Sequence, residues 1–108
     1  MKKIYIIALV IGIASCTASK LTVPTQADAD EAQKTFPGAT LADISNGKGL
    51  YEQHCQSCHG LKTVTDYSVQ AWHDIVPRMV VQCNRKASGS VSENDERLIL
   101  MYVTSVRR

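Results

Sequence analysis

Large aromatic side chains are scarce in this chain, whose 108 residues hold one Phe, one Trp and four Tyr. A small domain so poor in bulky apolar groups rarely buries enough surface by itself and needs a staple. Long apolar runs are missing too. The stretch from Ile4 to Ile13 covers only ten residues, about half of what a helix needs to cross a bilayer. No block of like charge is long enough to define a partner, and nothing points to nucleic acid. Nor does any nucleophile stand beside an evident base, so the chain is not expected to be an enzyme by itself and no small-molecule substrate is expected.

What is present begins with an export signal. Lys2 and Lys3 precede the short apolar stretch as a positive n-region. Ile13-Ala14-Ser15-Cys16 then resembles the bacterial lipoprotein box, in which cleavage leaves the cysteine as first residue and lipid is attached to it. Residues 1–15 are expected to be the signal peptide and Cys16 the lipidated residue. An ordinary signal cut near this point and an uncleaved anchor are the alternatives. All three place the remainder outside the cytoplasm, here the periplasmic side of a bacterial membrane. Removal of the signal takes away two of the twelve Lys and Arg, leaving ten basic against ten acidic side chains.

The densest chemistry lies at Cys55-Gln56-Ser57-Cys58-His59, a C-x-x-C-H motif. Two thiols three positions apart lie on one face of a turn, where each reaches one vinyl group of a haem and forms a thioether. The histidine that follows is carried beneath the porphyrin, to the iron. The motif therefore predicts one covalent haem c bound by Cys55 and Cys58, with His59 as proximal iron ligand. Two other readings fit part of the pattern. Cys55 and Cys58 could be a thioredoxin-like redox pair, although no convincing strand precedes them. Cys55, Cys58, Cys83 and a histidine could also form a Cys₃His zinc site, although its second half lacks a paired spacing. With Cys16 assigned to lipid and the motif cysteines to haem, Cys83 is left over and reads best as a small buried thiol.

Three helices are expected in the folded part. Leu41, Ile44 and Tyr51, with Leu50 and His54, recur near helical spacing, so a helix from residue 41 or 45 should deliver Cys55. Gly47 and Gly49 weaken it by roughly 1 kcal/mol each while permitting close approach of another helix. A turn at Ser45-Asn46-Gly47, with the helix starting only at Lys48, is the alternative. The cleanest stripe runs Trp72, Ile75, Val76, Met79, Val80, Cys83, with Ser68 as N-cap. Pro77 inside it should kink or break the helix. The third helix is announced by Ser92 with Asp95, a capping-box-like start, and continues through Leu98, Ile99, Met101, Tyr102 and Val103. Arg107 and Arg108 suit its C-terminal end by charge.

The region from Thr17 to about Thr35 is small, polar and poorly periodic. Residues 16–35 are expected to be a lipid-anchored tether. As a flexible coil of ~19 residues it would span roughly 25 Å, and fully extended some 60 to 65 Å. Residues 28 to 36 could instead form a short helix or wrap on the globular part. The folded domain is expected over residues 36–108.

Gly49-Leu50-Tyr51 leading into Cys55 to Gly60, the segment Trp72 to Met79, and Ser92 to Val103 with Tyr102 together resemble a small class I cytochrome c of the bacterial monohaem type. The resemblance implies an all-α, cytochrome c-like three-helix domain wrapped around one haem, attached on the periplasmic side. It implies that the first and last helices cross, with Gly47, Tyr51, Leu98 and Tyr102 meeting there. It implies a distal methionine, which raises the potential of the iron. Met79, ~20 residues beyond His59 on an amphipathic segment, is expected to supply it. Met101 lies on the terminal helix, and His73 is the bis-histidine alternative. The chain departs from many relatives in having no proline after His59 until Pro77, which leaves the acceptor for the His59 ring N–H unassigned.

A six-coordinate iron leaves no open position for substrate. The expected role is a membrane-tethered electron carrier exchanging one electron with redox protein partners. Lys48, Lys62, Arg78, Arg85 and Lys86 could rim the haem edge or form a solvated surface. The alternatives are a permanently bound haem subunit of a larger exported oxidoreductase, and a gas or redox sensor with an open distal site.

Overall fold

In a computed structural model, which describes residues 21–55, 62–86 and 90–108, every regular element is helical. The α-helices are α1 (Gln26–Ala32), α2 (Leu41–Cys55), α3 (Val69–Arg85) and α4 (Glu93–Ser105), with one 3₁₀ turn at Val64–Asp66. The all-α class stands, with four α-helices described where three were expected.

One local device begins three of these helices and the 3₁₀ turn. Asp28, Asp43, Asp66 and Asp95 each accept the backbone N–H of the Thr or Ser three positions earlier, at 2.7, 3.0, 2.8 and 3.4 Å. At Thr40 and Ser92 the hydroxyl returns the bond, accepting from the N–H of Asp43 and Asp95 at 3.1 Å each. Otherwise orphaned N-terminal donors are thereby satisfied, and the carboxylate lies at the positive end of the helix. α3 starts differently, with Ser68 Oγ accepting from Ala71 N at 3.1 Å.

α2 begins at Leu41, the earlier of the expected starts, and carries both glycines in its interior. Gly47 is where α2 crosses α4. A Cβ placed there would stand 2.0 Å from Leu98 O and 2.7 Å from Leu98 C. Only a hydrogen fits that gap. Tyr51 and Tyr102 flank the crossing with ring centroids 6.2 Å apart. Gly47, Tyr51, Leu98 and Tyr102 thus meet as expected, and α2 with α4 forms the most extensive helix pair.

α3 runs unbroken through Pro77. Its apolar stripe divides into two rows four residues apart. Trp72, Val76 and Val80 are buried in the common core, whereas Ile75, Met79 and Cys83 are half-buried beside it.

Residues 21–35, which the sequence places before the domain boundary at residue 36, pack onto the domain. Of the two readings for this stretch, the structure takes the short helix. Leu21, Ala29 and Ala32 are buried, and the strap is bonded to the end of α4. Tyr102 Oη donates to Thr22 O at 2.9 Å, and Thr22 Oγ1 donates to Arg108 O at 2.6 Å. The Arg108 guanidinium reaches both oxygens of the buried Asp28 carboxylate at 2.5 and 2.9 Å, and Val23 O at 3.2 Å. These bonds hold the Asp28 carboxyl below its usual range, against an opposing push from burial.

Candidate cofactor cleft

Cys55, the first cysteine of the motif, is the last described residue of α2. Opposite it stands the half-buried row of α3. Between them lies a cleft with about 650 Å³ of empty space, partly open to solvent. Tyr51, His54 and Cys55 form its α2 side, and Trp72, Ile75, Met79 and Cys83 its α3 side, with Lys62 and Tyr67 at the connecting segment. A smaller lobe continues inward between Cys55, Met79, Cys83, Val91 and Ile99.

The back wall is stiff because its polar tips are bonded away from the cleft. Trp72 stacks edge-on with Tyr51 at 5.8 Å and with Tyr67 at 5.1 Å between ring centroids. Its Nε1 donates to Val64 O at 2.8 Å. Arg107 also donates to Val64 O, and reaches Tyr67 O at 2.6 Å and Val103 O at 3.0 Å, tying the connecting segment to the end of α4. Tyr51 Oη donates to Lys62 O at 2.6 Å. Burial pushes the Tyr51 phenol strongly up and that of Tyr102 up to about 12, so both remain donors at neutral pH.

Of the sequence-predicted site residues, Cys55 and Met79 border the same cleft. Cys16, Cys58 and His59 lie outside the described residues. The other candidates for a distal ligand stand elsewhere, His73 exposed on α3 and Met101 fully buried in the core. Lys62 lines the cleft, while Lys48 pairs with Glu52 and Arg78 with Asp74 at 3.0 Å.

Cys83 is not a fully buried core thiol. It is half-buried, faces both lobes, and its Sγ donates to His54 O at 3.6 Å, joining α3 to the end of α2. Its position four residues beyond Met79 was the sequence signal for a cleft residue. Tyr51 and Trp72 look like ordinary core residues in sequence, and only the fold makes them cleft walls.

The donor set discriminates among chemistries. A thiol pair built for disulfide exchange gains from the positive N-terminal end of a helix. Cys55 stands fifteen residues into α2, far from its N-terminal end, and no strand precedes it among the described residues. The zinc alternative needs Cys58, which lies outside the described residues. The walls of the cleft are aromatic and aliphatic, with a thiol on one side and a thioether on the other, the kind of lining a flat, largely apolar macrocycle would need.

Comparison with family models, with curated proteins and with solved structures returns no match for this chain.

Proposed function

We propose that this chain is a membrane-tethered periplasmic electron-transfer protein with one covalently bound haem c. The observation that carries the reading is the apolar cleft bordered by both Cys55 and Met79, directly where the C-x-x-C-H motif begins. Cys55 and Cys58 would hold the haem through thioethers, His59 and Met79 would ligate the iron, and Cys16 would carry lipid. When bound, the haem supplies a one-electron couple.

The chain's own residues bind and shelter. Trp72, Tyr51 and Ile75 would shelter one side of the bound group from water, which together with a thioether ligand would favour the reduced state. Lys62 stands at the cleft and is suited to a negatively charged edge group. Reduction and reoxidation would proceed with redox protein partners, without a substrate entering.

Visible spectra and the intact mass of the exported protein test this reading. Sharp ferrous bands that survive acid acetone, with a mass raised by one haem, are expected. Bare apoprotein mass in correctly processed material would overturn it. Met79→Ala should abolish the ferric sulfur-to-iron absorption band, and an unchanged band would remove Met79 from the site.

A further inference from the structure

The clamp between the N-terminal strap and the C-terminus sets how far the domain can stand from whatever holds Cys16. We infer that the end of the domain where the strap meets Arg108 rests on the lipid surface, held there by a leash of five residue steps rather than swinging on a long tether. This rests on the proposed lipidation of Cys16. It departs from the nineteen-residue reach the sequence suggests.

The structure supplies the point where the leash ends. Leu21 is buried, and the next residues are fastened by four side-chain groups: Thr22 to Arg108 O, Tyr102 to Thr22 O, and Arg108 to Asp28 and to Val23 O. From Cys16 to Leu21 the chain advances five residues, which fully extended is at most about 18 Å. That is less than a third of the 60 to 65 Å available to an unfastened segment. Val23 stands next to this point with 70% of its surface exposed, an apolar group on the side that the leash brings closest to lipid. The occupant is therefore a bilayer surface bearing the acyl chains of Cys16. Movement remains free within the membrane plane, and exchange of electrons is confined to partners whose docking sites lie close to that plane.

Neutron reflectometry of the lipidated holoprotein on a supported phosphatidylcholine bilayer tests the inference without a label. The wild type should form a protein layer in contact with the headgroups. A variant with twenty Gly/Ser residues inserted between Ala18 and Ser19 should shift that layer outward by roughly 25 Å. A wild-type layer already separated by a water gap as wide as that of the insertion variant would overturn it. A photoactivatable phospholipid in the same bilayer should label the peptide containing Val23 in preference to peptides of α3, and the reverse preference would also overturn it. Intact mass separates the two readings: protein without acyl chains on Cys16 defeats the anchored assignment itself, whereas acylated protein behind a water gap defeats only the short leash.

Discussion

The two sides of α2 are built differently. On the side facing α4, Gly47 lets the helices touch, Tyr102 is fully buried, and the strap, α4 and Arg108 are joined by bonds that leave little space. On the side facing α3, half-buried Ile75, Met79 and Cys83 border a cleft. The first side is closed at the crossing by backbone contact between Gly47 and Leu98. The second has apolar walls and sulfur atoms around a space, which under the proposed function a large apolar group would fill.

Preparing the protein without haem should separate the two sides most. Amide exchange in the haem-free chain should be about tenfold or more faster along the cleft-facing part of α3 than at the α2–α4 crossing, and equal protection would erase the distinction. A second, smaller effect compares the glycines. Gly47→Ala drives a methyl into the backbone of Leu98 and should cost about 3 kcal/mol in thermal unfolding of the holoprotein. Gly49→Ala meets nothing within 4 Å and should stabilise by up to about 1 kcal/mol. Shifts of the same sign would show that the crossing is looser than its geometry.

The tyrosines sharpen the contrast further. Tyr51→Phe removes the bond to Lys62 O and should cost about 1 kcal/mol while perturbing the haem spectrum. Tyr102→Phe removes the bond to Thr22 O at similar cost and should leave the spectrum alone. The smallest effect is a pH dependence. Because the folded-state pKa of Asp28 is depressed, its contribution is fully present above the ordinary carboxylate value near 3.8 and is lost as pH falls through the lower folded value. Asp28→Asn should therefore melt lower at neutral pH, and the difference from wild type should shrink on acidification. A constant difference down to acid pH would show that the strap is held by packing rather than by the ion pair.

Much of the fold was legible because its signals are local. Ser92 with Asp95 and Ser68 mark helix starts that the structure reproduces, and the same Thr-x-x-Asp spacing at Thr25, Thr40 and Thr63 was readable in principle. By itself that spacing is a weak signal, because a polar pair three residues apart recurs by chance, and at Thr25 no apolar periodicity follows it. The strap was harder. Leu21, Ala29 and Ala32 look unremarkable in a polar segment, and the surface that buries them includes the end of α4, with an arginine eighty residues from Asp28 bonded to it. The split of the α3 stripe into a buried row and a cleft row was also invisible, since periodicity gives a face but not what lies opposite each half of it.

By itself, the order of residues determined three of the helices and the C-x-x-C-H motif on which the proposed haem chemistry rests, because each depends on neighbours within a few turns of chain. Only the tertiary structure decided that Cys55, Met79 and Cys83 border one cleft, that His73 and Met101 stand apart from it, and that the strap beginning at Leu21 is bonded to the chain's last residue. Those are matters of which surfaces meet across long separations, settled by packing and by paired buried charge rather than by local spacing.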